Sequence, residues 1–237
     1  QAISQLERAG QLAPGNPLPW QALGRLHGAR KEFPKALDAY DRALKAQPDF
    51  ALARVDRGDV FAAMGDDARA ISEYQAALKI APNFVSAHLQ LGSTHLRAKR
   101  YAEAEAAYLA AIGSDPNNAL AYNNLAWIAT ERKVRLDEAL AWAKKAVELS
   151  PGEPEFLDTL GWTHYARGEL DAAAKALEKA ADAAPRNPEI LYRLGVVYAE
   201  RGQAKKAATA LNKALSLEEN FAGAADAKKR LEKLPRS

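Results

Sequence analysis

Residues 17–48 read PLPWQALGRLHGARKEFPKALDAYDRALKAQP, and the small residues in this stretch decide the fold. Ala36 has counterparts at Ala2, Ala70 and Ala104, each 34 residues from the next. Ala43 has Ala9, Ala77 and Ala111, Pro48 has Pro14, Pro82 and Pro116, and Gly24 has Gly58 and Gly92 at the same interval. A constant period of this length is the mark of a repeat architecture, in which each unit stacks only on its neighbours. The spacing has a physical cause. Gly or Ala at fixed positions lets two helix backbones approach closely, and large residues fill the spaces between them. The proline ends a helix and restricts the residue before it.

Numbering the slots of one repeat from one, residues 17–50 place Trp20, Leu23, Gly24, His27, Ala36, Tyr40, Ala43 and Pro48 at slots 4, 7, 8, 11, 20, 24, 27 and 32. Residues 51–84 give Arg54, Arg57, Gly58, Phe61, Ala70, Tyr74, Ala77 and Pro82. Residues 85–118 give His88, Leu91, Gly92, His95, Ala104, Tyr108, Ala111 and Pro116. The set recurs in 119–153, with one extra residue in the turn 133–136, and again in 154–187 and 188–221, where Glu219 replaces the proline. This pattern resembles the tetratricopeptide repeat (TPR) family over nearly the whole chain. The resemblance implies an all-α, right-handed α-solenoid of helix–turn–helix repeats. Turns are expected near Gly65, Lys99, Gly168 and Gly202, with the extra residue lengthening its own turn only.

Residues 1–16 fit slots 20–32 through Ala2, Leu6, Ala9 and Pro14, so they read as the second helix of a truncated repeat. The expectation is a fragment of a longer protein, whose first helix would half-expose Ile3, Leu6 and Ala9 and would fray or cover itself with a second copy. Residues 222–237 read as a polar capping helix and tail, which ends a solenoid. That segment holds five basic and two acidic residues and so accounts for the whole net charge of +3. The basic balance therefore reflects a cap and not a nucleic-acid-binding stripe, and no nucleic-acid partner is expected. No apolar run is long enough to span a membrane. The absence of cysteine excludes disulfides and thiolate chemistry and suits a reducing or an oxidising compartment.

No catalytic constellation is visible. His27, His95 and His164 occupy slot 11 and His88 slot 4, which are packing slots in the family. No cysteine or carboxylate completes a zinc set around His88 and His95, no serine sits near a histidine in a nucleophile turn, and the glycines follow the repeat and form no phosphate loop. No cofactor and no metal are expected.

In TPR proteins the first helices line a concave surface, and slots 2, 5, 6, 9, 12 and 13 face it. In the first three repeats these slots form an aliphatic ribbon that includes Leu18, Leu52, Val55, Leu89 and Leu96, with Gln21, Arg25, Asp56 and Asp59 among the polar groups. In the last three they give Asn123, Asn124, Trp127, Asp158, Thr159, Trp162, Tyr165, Tyr192 and Arg193. Trp127 and Trp162 hold slot 9 of adjacent repeats and are expected to be neighbours, since packed helices lie about 8–10 Å apart. Aromatic rings beside amides and charges make a binding surface, the rings supplying area and the polar groups orientation. The same rings could instead only fill gaps between helices. A chaperone-tail receptor is disfavoured, because Glu155 and Glu189 stand at slot 2 where that subgroup carries Lys.

Three functional readings stay open. The first is a non-enzymatic scaffold, bacterial, that holds a protein or peptide in the concave groove. The second rests on Tyr122–Trp127 and Leu157–Trp162, which look like C-terminal repeats of bacterial envelope TPR proteins tied to exopolysaccharide assembly and export. That resemblance implies a periplasmic or envelope location and a polysaccharide partner. The third is the regulatory arm of an enzyme whose catalytic domain precedes residue 1.

Overall fold

The computed structural model describes residues 2–235. Among them stand fourteen α-helices and no strand, and none of the helices is long and apolar enough to cross a membrane. In chain order, α1 (Ala2–Leu12) is followed by the pairs α2 (Pro17–Ala29) with α3 (Phe33–Ala46), α4 (Ala51–Ala63) with α5 (Asp67–Ile80), and α6 (Val85–Arg97) with α7 (Tyr101–Ser114). Then come α8 (Ala119–Glu131) with α9 (Leu136–Leu149), α10 (Pro154–Ala166) with α11 (Leu170–Ala183), α12 (Pro188–Glu200) with α13 (Ala204–Leu217), and finally α14 (Ala224–Lys233). In all six pairs the first helix has 13 residues and the second 14. The helices form two compact units, Gln1–Pro116 and Asn117–Ser237.

The turn inside each pair repeats one geometry. A residue at positive φ follows the first helix: Lys31, Gly65 and Lys99 in the first unit, Lys133, Gly168 and Gly202 in the second. The amide after it reaches back to the carbonyl of the residue at slot 11, as from Glu32 to His27 at 2.9 Å and from Glu169 to His164 at 2.9 Å. This closes the orphan carbonyls of the helix end in the manner of a Schellman motif. Two slot-11 histidines brace the turn further: Nδ1 of His27 lies 2.6 Å from the Glu32 carboxylate, and that of His164 lies 2.5 Å from Glu169. The extra residue of 119–153 does stay within its turn. Four residues separate α8 from α9, against three between α10 and α11. Arg135 joins Lys133 at positive φ to absorb the added length.

Core packing follows the glycines. A Cβ added to Gly24, Gly58 or Gly92 would fall 2.6, 2.5 and 2.8 Å from the ring of Tyr40, Tyr74 and Tyr108 respectively. In the second unit the same contact is made by leucine: a Cβ on Gly161 would lie 2.6 Å from Leu177 Cγ, and one on Gly195 2.7 Å from Leu211. The helices therefore cross at a distance that only glycine permits. Ala36, Ala43, Ala70, Ala77, Ala104 and Ala111 are all fully buried, as close helix contact requires.

The second repeat departs from the pattern. Arg54 and Arg57 stand at slots where other repeats place Trp, His, Tyr or Leu. The structure answers them with carboxylates: Arg57 Nη2 donates to Glu73 Oε1 at 2.6 Å, its Nη1 bonds Asp41, and Arg54 Nη1 lies 3.6 Å from Glu73. At the start of the chain, α1 lays Gly10 against the Trp20 ring, and its apolar face of Ile3, Leu6 and Ala9 is half-buried.

A candidate binding groove on the second unit

Asn123, Asn124 and Trp127 lie on α8, Asp158, Thr159, Trp162 and Tyr165 on α10, and Tyr192 and Arg193 on α12. The structure sorts them by depth. Asn123, Asp158 and Thr159 are buried, whereas Asn124, Trp127, Trp162, Tyr165, Tyr192 and Arg193 are half-buried. Thr159 turns back on its own helix and donates to the Glu155 carbonyl at 3.0 Å. Arg193 Nη1 donates to Asp158 Oδ2, linking α12 to α10. Burial pushes the Asp158 carboxyl up to about 6, against the pull of that guanidinium. Nearby, the hydroxyls of Thr130 and Thr163 meet at 2.8 Å, and Thr163 also donates to the Thr159 carbonyl at 2.7 Å.

Trp162 is the centre of the aromatic surface. Its indole stacks on Tyr165 with centroids 4.5 Å apart and planes 19° from parallel. The Arg193 guanidinium lies over the same ring, 5.2 Å from its centroid. The ring partner of Trp162 is thus the residue three positions on in its own helix. Side chains at i and i+3 start about 5–6 Å apart, closer than two helix axes can come. Trp127 stands outside this cluster.

Beside the cluster opens a cavity of about 510 Å³. Thr130, Glu131 and Lys133 at the end of α8 form one wall, Trp162, Tyr165 and Ala166 of α10 the next, and Tyr192 and Val196 of α12 the third. Asp226 and Arg230 of α14 close it. The Tyr192 hydroxyl donates to Asp226 Oδ2 at 2.9 Å, and Arg230 Nε donates to the same oxygen at 2.5 Å. Arg230 Nη1 also reaches Glu200 at 3.1 Å. Burial and the Asp226 charge hold the Tyr192 phenol up at about 12. The helix is seated closely: Phe221 tilts against Tyr192 at 5.7 Å, and a Cβ on Gly223 would fall 2.5 Å from the Tyr192 ring.

Asp226 and Arg230 were missed by the sequence reading, which took this segment as a cap alone. The signal was present in the register. Asp226 lies 34 residues after Tyr192, and Arg230 lies 34 after Val196, so both occupy groove slots of a further first helix. The cavity therefore combines a stacked aromatic wall with two acids and two bases. It suits a ligand with apolar side chains and a few polar groups of either sign.

Residues 1–233 match the family model described as the Cilia and flagella-associated protein 70 C-terminal domain. A TPR repeat-containing protein of Pseudomonas aeruginosa is 40% identical over 53 residues, which is 22% of this chain and 9% of that relative. The chain thus spans under a tenth of the length of the curated relative it matches. Among solved structures, the APC/C hetero-tetramer Cut9-Hcn1 superposes with a TM-score of 0.78 at 20% identity, covering 97% of this chain and 46% of that one. PilF of Pseudomonas aeruginosa gives 0.77 at 18% identity, covering 97% and 99%. YrrB, described as a TPR protein with an unusual peptide-binding site, gives 0.65 at 22% identity, covering 81% and 99%. At these identities the structural likenesses speak to the fold alone.

Proposed function

The chain belongs to the tetratricopeptide repeat family, and on that premise we propose that it is an interaction scaffold whose second unit holds a peptide segment of a partner protein in the groove described above. The observation that carries this reading is the cavity itself. Four successive helices of one register contribute to it, and its wall is the Trp162–Tyr165 stack. A stacked aromatic pair presents broad area without loss of side-chain freedom on binding, which is why such pairs anchor interfaces. The mixed charges Glu131, Lys133, Asp226 and Arg230 favour a ligand that offers both donors and acceptors, as a peptide backbone does. A peptide-binding site is also described for YrrB, which shares the fold.

The stacking favours peptide over glycan. A sugar ring packs on a free aromatic face, and Trp162 already carries Tyr165 and the Arg193 guanidinium.

A displayed random-peptide library selected on the 237-residue chain provides the probe. A selected peptide should lose about thirtyfold or more in affinity when Trp162→Ala is combined with Tyr165→Ala, since aromatic anchors commonly cost about 2 kcal/mol or more on truncation. Trp127→Ala should leave that affinity within about twofold, because Trp127 lies outside the cavity. Circular dichroism serves as the folding control. Full affinity in the folded double variant would remove the site from this groove.

A further inference from the structure

The first unit carries a different cavity, of about 330 Å³, between α2, α3 and α4. Asp56 and Asp59 of α4 line it together with Tyr40 of α3 and Arg25 of α2. Apolar groups complete the lining, among them Phe33 and Val60. Asp56 and Asp59 are one helical turn apart and so share a face. Each has committed one oxygen. Asp56 Oδ2 accepts from the Gln21 amide, and Asp59 Oδ1 accepts from the Tyr74 hydroxyl at 2.8 Å. The other oxygen of each makes no hydrogen bond among the described residues.

Tyr40 supplies the second, independent observation. It is 98% buried, at 2% exposure, and it lines the cavity. Its ring is fixed beneath Gly24, yet its hydroxyl makes no hydrogen bond among the described residues. The phenol oxygen is thus left to meet whatever enters the cavity. Three acceptors are then left around one cavity: Asp56 Oδ1, Asp59 Oδ2 and the Tyr40 oxygen.

We propose that this cavity receives a lysine side chain of a partner protein, the ammonium donating to Asp56, Asp59 and Tyr40 while its methylene stem lies on Phe33 and Val60. Three N–H donors meet three free acceptors. Two carboxylates and the exposed Arg25, which forms no ion pair with either among the described residues, leave the cavity one negative charge to be matched. A peptide is favoured over a free diamine by the helix faces that lead to the cavity. Leu52 lies one turn before Asp56, and Leu18 lies two turns before Arg25, so both follow the same faces, and both are exposed. They offer apolar contact to residues flanking the lysine, which a diamine lacks. This site is separate from the groove of the second unit and does not rest on it.

The charge on Asp59 sets the pH range. Burial pushes its carboxyl up to about 6, against the Tyr74 hydrogen bond, and Asp56 is pushed up by burial as well. The groups that face the pair are Arg25 on α2, Tyr40 on α3 and Tyr74 on α5, with Arg97 of α6 beyond Tyr74. Ammonium binding needs ionised carboxylates, so affinity should fall as pH drops through about 6.

The test uses the whole chain and a capped peptide with lysine at its centre and leucine at each end. Its twin carries Nε-acetyl-lysine, and putrescine is the free diamine. The lysine peptide should bind saturably at pH 7.5 and perturb the NMR signals of Asp56, Asp59 and Tyr40. Acetylation, which removes the charge, should weaken binding about tenfold or more. Asp59→Asn should do the same, and Tyr40→Phe, which keeps the packed ring, should cost about threefold or more. Putrescine should bind more weakly than the peptide. Equal affinity of the acetylated twin overturns the proposal, as does unchanged binding in both folded variants. Tighter binding of putrescine than of peptide overturns the assignment to a partner's side chain. Should Asp59→Asn fail to fold, Tyr40→Phe decides alone: unchanged binding in it overturns the proposal.

Discussion

Each unit sets a carboxylate on the groove side of a first helix, Asp59 half-buried and Asp158 buried, and the two are answered differently. Asp59 in the first unit accepts from the neutral phenol of Tyr74, whereas Asp158 in the second is met by the guanidinium of Arg193. Both carboxyls stand at about 6, Asp158 in spite of its guanidinium, so Asp158 bears the larger desolvation. What differs is the charge left over. Asp158 is neutralised by its partner, and the surface around it is aromatic. Asp59 is not neutralised, and together with Asp56 it gives its cavity an acidic character. The difference traces to slot 24. The first unit places tyrosine there, so a hydroxyl crosses from the second helix to the groove side, as Tyr74 does to Asp59. The fifth and sixth repeats place Leu177 and Leu211, which pack on the same glycines and have no polar tip.

The comparison breaks most readily at Arg193. Arg193→Ala strands a buried carboxylate and should destabilise the chain by about 3 kcal/mol at pH 7.5, measured by urea unfolding. Tyr74→Phe removes one hydrogen bond to a less buried acid and should cost about 1 kcal/mol. The first penalty should shrink at pH 5. There the Asp158 carboxyl, whose folded value is about 6, is largely protonated and no longer needs a cation. The same shift means that each of these acids favours the folded state at low pH. Its contribution is full below the unfolded value near 4 and is lost as pH rises through about 6. Equal penalties for the two variants, or a pH-independent penalty for Arg193→Ala, would erase the distinction between the units.

A middle-sized effect tests the shared glycine contact. Gly58→Ala and Gly161→Ala should each cost about 1–3 kcal/mol, because the added Cβ meets Tyr74 at 2.5 Å and Leu177 at 2.6 Å. Leucine can swing more readily than a fixed ring, so the cost at Gly161 should be the smaller. Thermal melts giving the reverse order would show that the tyrosine ring yields first.

The smallest effect concerns the turns. Lys99 holds a positive φ of 57°, where Gly65 and Gly168 hold 79°. Lys99→Gly should stabilise the chain by about 0.5–1 kcal/mol in a denaturant titration, since the left-handed strain exceeds the added chain entropy. A loss of stability would mean that the Lys99 stem packs on the turn.

The repeat, its helices and the left-handed turns were legible because each depends on residues within one period. Gly65, Lys99, Gly168 and Gly202 were expected at turns and stand there with positive φ. The groove was legible only where slot rules suffice. Trp162, Tyr165 and Tyr192 do line one cavity, whose wall does not include Trp127. Asp226 and Arg230 escaped notice because the charges of α14 suggested a solvated cap. The acidic cavity was illegible for a different reason. Asp56 and Asp59 were visible as polar groups in an aliphatic ribbon, but their burial depends on Tyr40 and Tyr74, which come from second helices.

The uniform turn has a consequence for how such a chain can change its length. Lys31 and Gly65 are matching joints 34 residues apart, each preceded by a 13-residue helix and followed by a 14-residue one. Cutting at both joints and rejoining the ends removes one repeat's worth of chain and restores a joint of the same hand with helices of the same length. Duplicating the segment does the reverse. The first unit is thus assembled from exchangeable parts, and its one idiosyncratic piece is the repeat in which Arg54 and Arg57 require Glu73 and Asp41. A piece cut between these joints carries Asp41 with the two arginines but leaves Glu73 behind, so it travels safely only with the helix that follows Gly65.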